Sequence, residues 1–212
     1  LVDDAGHTYG PEATITGEAV REIDAVLKHL DEQVAQLELP VNIVVVSDHG
    51  MARIDKRKLI DIRPFIAEGV TVTKSMPVML YGDEAAIAQR YEQLSTVAGE
   101  QFYLYTKEDV PDSLYNFKHE KLGDLILVPK MYQAFDFGSL YMATATHGYY
   151  PGYSEMGAFF VAKGPQIRQV SGTIPVFGNV HVYPFVSNLL GLDYLHQIEG
   201  ADSVLSPYLL QP

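Results

Sequence analysis

The run Val41-Asn42-Ile43-Val44-Val45-Val46-Ser47-Asp48-His49-Gly50-Met51 decides the fold class. Pro40 closes the segment before it, and Val41 to Val46 then reads as a strand that is short, β-branched and apolar on both faces. A strand apolar on both faces belongs to a parallel sheet covered on each side. It runs directly into Ser47-Asp48-His49-Gly50, and open α/β sheets place their ligands at the carboxyl ends of such strands.

Working upstream, residues 17–37 carry Val20, Ile23, Val26, Leu27, Leu30, Val34 and Leu37 at three- and four-residue steps, with Glu22, Lys28, Asp31 and Glu32 on the opposite side. This predicts an amphipathic helix. Before it, residues 1–11 read as a glycine-rich loop ending in Tyr9-Gly10-Pro11. Downstream, strands are expected at 77–81, 101–105, 125–128 and 157–162, with helices at 84–97 and from Asn179 to a stop at Gly191. Asn179 is the expected cap of that last helix, and Pro184 falls early enough in it to be tolerated. The alternation predicts an α/β fold: a largely parallel sheet with helices on both faces, incomplete at its N-terminal side. Residues 1–212 read as part of one such domain, with 64–122 as a small inserted α+β cap.

The chain of 212 residues is 47% hydrophobic and 20% charged, enough for a sizeable core. Its 27 acidic and 15 basic residues leave a net charge of −12, which argues against binding polymeric nucleic acid. A small phosphate ester is not excluded, because bound cations invert the local field. The chain has no cysteine, so no disulfide and no thiolate metal site, a composition that favours a bacterial source. No run of 18 apolar residues reads as a membrane span. The basic stretch from Arg53 to Lys58 reads as a solvated surface rather than a partner site.

Three strings carry the chemistry: Asp3-Asp4-Ala5-Gly6-His7, Ser47-Asp48-His49-Gly50-Met51 and Thr146-His147-Gly148-Tyr149. Asp3 and His7, four residues apart across Gly6, can fold to one point. Asp48 and His49 sit where a strand ends and the chain bends, so neighbours can share an ion. His147 is followed by a glycine that lets backbone pass close to a ligand. Oxygen and imidazole donors without sulfur suit zinc best, with manganese, iron or cobalt next. Two such ions about 4 Å apart clamp an in-line displacement at phosphorus. Tyr149 and Tyr150 are candidates to line a pocket for a base or acyl chain. His29 reads as exposed on the solvent side of its helix, His119 as part of a solvated basic loop, Lys118-His119-Glu120-Lys121, and His181 and His196 as structural, with no acidic partner at ligand spacing. Asp4 reads equally as a support for its neighbours or as an exposed residue.

In this order the strings resemble the carboxyl-terminal half of the nucleotide pyrophosphatase/phosphodiesterases of the alkaline phosphatase superfamily. Asp3 to Pro11 resembles that family's Asp-x-x-Gly-His-x-x-Gly-Pro motif, and Val44 to Met51 its second metal motif. Thr146 to Tyr149 with Met156 to Pro165 resembles the third, and Asn179 to Pro184 with Leu189 to Leu192 the closing helix. The resemblance implies that Asp3, His7 and His147 hold one zinc, while Asp48 and His49 help to hold another. It also implies a nucleophilic threonine and a further aspartate in an earlier half of the domain, which has no counterpart after Leu1. Thr146 has no such role in the family.

The same resemblance implies a two-step phosphoryl transfer through a covalent nucleotidyl-enzyme, in a periplasmic or secreted protein acting on a small phosphodiester or nucleotide. This chain by itself is expected to be inactive, and to need the other half of the domain or another copy of itself to cover an exposed sheet edge. A phosphomutase or phosphomonoesterase of the same superfamily shares two of the motifs, but no extra basic groups for a doubly charged phosphate lie near them. A non-catalytic metal-binding domain is the reading from a different class.

Overall fold

The structure, a computed structural model, describes residues 1–66, 68–115, 119–138, 143–193 and 198–210. Its elements run α1 (Val2–Tyr9), α2 (Thr14–Ala35), β1 (Ile43–Val46), β2 (Ala52–Arg53), β3 (Leu59–Asp61), β4 (Val70–Val72) and β5 (Val78–Gly82), then α3 (Glu84–Ser95), β6 (Phe102–Thr106), α4 (Asp112–Tyr115), β7 (Leu125–Pro129), β8 (Ala134–Asp136), β9 (Ala145–Thr146), β10 (Phe160–Lys163) and α5 (Val182–Leu190). They fall into two compact units, one of residues 1–23 and 50–157, the other of residues 24–49 and 158–212. No helix among the described residues is long and apolar enough to cross a membrane.

The first unit is organised by a four-stranded sheet in the order β4-β5-β7-β6. Its central strand, β7, is buried along its whole length, and its side chains alternate between two cores as the strand period requires. Leu125 and Leu127 pack with Val78, Leu80, Phe102 and Leu94 of α3. Ile126 and Val128 pack with Val110, Leu122, Tyr103 and Tyr105 on the other face. α3 starts where the Asp83 carboxylate accepts the Ala86 N–H at 2.8 Å, a conventional cap. The expected cap region, 64–122, supplies β4, β5 and β6, and shares this sheet with β7. Two short ladders complete the unit: β3 with β8, and β2 with β9.

In the second unit β1 pairs with β10. Val44, Phe160 and Ala162 face a core of Ile167, Phe185 and Leu205. α5 ends at Gly191, whose φ of 63° is the left-handed stop expected there. Pro184 lies in the first turn of α5, where its missing N–H has no intrahelical partner to lose.

Four expectations are corrected. Residues 2–9 form a helix rather than a loop, with Asp3 and Asp4 in its first turn and His7 in its last, the charge order a helix dipole favours. A largely parallel sheet is not what the described strands form: only β3–β8 is parallel, and the other five ladders are antiparallel. Apolar patterning reports which faces seek burial, whereas strand direction follows from how the chain returns, which patterning does not encode. β1 is also not covered on both faces, since Val46 and its partner strand's Val161 are 47% and 45% exposed. Likewise the apolar stripe of α2 faces outward, with Val20, Ile23, Val26 and Leu30 all exposed.

Candidate metal centre

In the first unit, α1 carries Asp3 and His7 one turn apart on one face. Asp3 Oδ2 lies 3.6 Å from His7 Nε2. The other ring nitrogen, His7 Nδ1, lies 2.8 Å from the carbonyl oxygen of Ala145 in β9. A carbonyl only accepts, so Nδ1 carries the hydrogen and the neutral ring keeps its lone pair on Nε2. This is the way metal-ligating histidines are held elsewhere: one nitrogen pinned to an oxygen, the other free for a cation.

The end of α1 is bolted to the same segment. Thr144 N donates to His7 O at 2.7 Å and Thr144 Oγ1 to Thr8 O at 2.8 Å. β9 is in turn paired with β2, Ala52 opposite Thr146. His147 comes immediately after, and its ring centroid is 5.2 Å from that of His7. Gly148 has φ 87°, and a Cβ there would sit 2.2 Å from Met76 O, so only glycine carries the chain past this point. Asp3, His7 and His147 therefore come together on α1 and the β9 exit.

The second unit holds the other pair. β1 ends at Val46, and Ser47 is gripped by Phe159: Ser47 N donates to Phe159 O at 2.9 Å, and Phe159 N donates to Ser47 Oγ at 2.7 Å. Beyond it Asp48 Oδ2 and His49 Nε2 are 3.5 Å apart, and Asp48 Oδ1 also accepts the His49 N–H at 3.1 Å. The Asp48 carboxylate is open to solvent, while the His49 ring is largely covered. Asn179, expected only to cap a helix, instead sends Nδ2 to the carbonyls of Asp48 and Ser47. No local sequence signal distinguishes the two roles, because the contact spans 131 residues.

The two tyrosines after Gly148 part company. Tyr149 is 4% exposed and its hydroxyl has no hydrogen-bond partner among the described residues. Burial pushes that phenol well above its ordinary pKa. Tyr150 is half-buried, with its hydroxyl 2.6 Å from Ser113 Oγ and its ring 6.0 Å from that of Tyr103. Asp4 is exposed, as are His29 and His119, the latter accepting the Lys121 N–H. His181 Nδ1 accepts the Ala201 N–H at 2.9 Å and so ties down a loop. His196 lies outside the described residues. In the basic stretch, Arg53 pairs with Glu12 and Arg57 with Asp55, so both charges are answered locally.

Comparison with known proteins agrees with the motif order. The sequence model of the family described as type I phosphodiesterase / nucleotide pyrophosphatase matches residues 1–150. Ectonucleotide pyrophosphatase/phosphodiesterase family member 7 of Homo sapiens is 28% identical over 201 residues, covering 90% of this chain and 43% of that protein. A bis(5'-adenosyl)-triphosphatase of Mus musculus is 27% identical over 200 residues, covering 90% of this chain and 42% of that protein. The solved structure of human ectonucleotide pyrophosphatase / phosphodiesterase 5 superposes with a TM-score of 0.87 at 25% identity, over 99% of this chain and 56% of that one. The chain thus spans about half the length of the relatives it matches. These relatives are mammalian, so the bacterial source suggested by the lack of cysteine finds no support in them.

Proposed function

Because the chain belongs to the type I phosphodiesterase / nucleotide pyrophosphatase family, we propose that it supplies much of the metal-holding side of an active site that hydrolyses phosphodiester or pyrophosphate bonds. The observation that carries this reading is His7: its Nδ1 is fixed by Ala145 O while its Nε2 faces Asp3 at 3.6 Å, beside His147.

The donor set fits two divalent ions of the zinc type, being carboxylate and imidazole with no sulfur. Asp3, His7 and His147 hold one; Asp48 and His49 contribute to the second. Bound there, such ions supply positive charge to the oxygens of a phosphoryl group as it passes between attacking and leaving atoms. The Ala145 carbonyl keeps the His7 ring in its ligating tautomer. Ser47, held by Phe159, sets where Asp48 begins.

The attacking hydroxyl belongs to a threonine in the part of the family's domain that this chain does not span. Its oxygen bonds to phosphorus as the leaving oxygen departs with its electron pair, and water then cleaves the ester so formed. Tyr149 and Tyr150 flank the organic part of the substrate, Tyr150 offering the accessible ring. Residues 64–122 act as a cap subdomain. The exposed apolar side chains of α2, Val46 and Val161 are covered by the rest of the domain or by another copy of the chain. The protein works outside the cytoplasm, as the prefix in its relatives' names suggests.

The test is hydrolysis by the full-length protein of a 4-nitrophenyl nucleotide diester against 4-nitrophenyl phosphate. The proposal expects diester turnover that a chelator abolishes and zinc restores. Preference for the monoester would make the protein a phosphomonoesterase or mutase instead, and cation binding without turnover would make it a non-catalytic metal-binding protein.

A further inference from the structure

We propose that Asn179 is a positioning residue that aims Asp48 and His49 at a divalent cation. The inference rests on the metal reading above and adds a residue to it.

Asn179 opens a 3-10 turn, Asn179–His181, that leads into α5. Its Nδ2 lies 3.2 Å from Asp48 O and 3.4 Å from Ser47 O. A side-chain amide has two N–H groups, so one nitrogen can serve two acceptors. In a regular strand, successive residues present their groups to opposite sides. Two successive carbonyls that converge on one nitrogen therefore mark where the chain leaves the extended path of β1. That departure brings Asp48 Oδ2 and His49 Nε2, which alternation would drive apart, to 3.5 Å.

The segment is clamped from two directions. Phe159 holds Ser47 through both its N–H and its carbonyl. Asn179 holds the next two peptide planes, which are those that orient Asp48 and His49. Both bonds from Asn179 are solvent-exposed, so their contribution to folding is small. What they fix is direction. Groups that orient metal ligands from behind commonly change affinity by about 10–100-fold when removed.

The experiment measures zinc affinity of the full-length protein by titration calorimetry, and the visible spectrum of its cobalt form at saturation. The variants are Asn179→Ala and Asn179→Asp, the second keeping the size but turning acceptors toward the two carbonyls. His181→Ala is the control, because it releases the same turn from Ala201 without touching Ser47 or Asp48. Both Asn179 variants are expected to bind roughly 10–100-fold more weakly and to change the cobalt spectrum, with His181→Ala near wild type in both. If wild type binds and the Asn179 variants match it, or if His181→Ala loses as much as they do, the positioning role is overturned. If wild type itself binds no cation, the failure lies in the metal reading instead.

Discussion

Replacing Gly148 by alanine tests whether the chain must pass Met76 at bare-backbone distance to bring His147 beside His7. Two costs are separable. The φ of 87° is a left-handed conformation that a Cβ disfavours, by about 1–2 kcal/mol. The added carbon would also stand 2.2 Å from Met76 O, with Met76 C at 2.6 Å, an overlap with backbone that no rotamer change relieves. Overpacking of this kind costs about 1–3 kcal/mol. Together they predict about 2–5 kcal/mol. With a urea slope near 2 kcal/mol per molar, the unfolding midpoint falls by about 1–2.5 M. Gly99 provides the control: its φ is 88° and a Cβ there meets nothing within 4 Å, so Gly99→Ala carries the first cost alone. Urea unfolding of both variants in the full-length protein reads the difference, and zinc affinity reads the displacement of His147. Should Gly148→Ala cost no more than Gly99→Ala, the close-approach argument is refuted.

Three further outcomes rest on local chemistry. The Asp55 carboxyl, bonded by the Arg57 side chain and then by its backbone N–H, is held down at about 2 from 3.8. A depressed carboxylate stabilises the fold above its unfolded pKa and loses that contribution as pH falls toward 2. Carbon-detected NMR should therefore see Asp55 titrate near pH 2 in wild type and higher in Arg57→Leu, which loses the side-chain bonds and keeps the backbone one, and equal values in the two would contradict the pairing. Tyr149→Phe removes a buried hydroxyl without a described partner, so stability should hold or rise by about 1 kcal/mol; a loss above that would show that the hydroxyl is satisfied. Residues 1–212 alone, with Val26 63% exposed among several apolar side chains of α2, should bind a hydrophobic dye and self-associate on size exclusion; a dye-free monomer would contradict this.

That Asp3, His7 and His147 lie near one another was more legible than the architecture around them. Their residue types, the glycines beside them and the family resemblance named them as candidate ligands before any fold was known. The helix under Asp3 and His7 was hidden by Gly6 and Gly10, which lower helix propensity; the order of Asp3, Asp4 and His7 along the dipole was the signal that reveals it. β2 and β9 are two residues each, too short for any period to show, yet they set the exit to His147. β7 was legible because burial on both faces left a continuous apolar run. The same pattern in β1 misled, since a run that seeks burial does not say that both faces find it. Tyr149 and Tyr150 look alike in sequence and differ in burial and partners, which follow from tertiary contacts that their neighbours in sequence do not encode.

Whether Asp3, His7 and His147 hold a divalent cation is read most directly from anomalous diffraction of zinc-soaked crystals, recorded above and below the zinc edge. A zinc peak is expected about 2.0–2.2 Å from His7 Nε2, a nitrogen of His147 and a carboxylate oxygen of Asp3. A fully soaked crystal with no peak there, or with His7 turned so that Nδ1 leaves Ala145 O, would contradict that expectation.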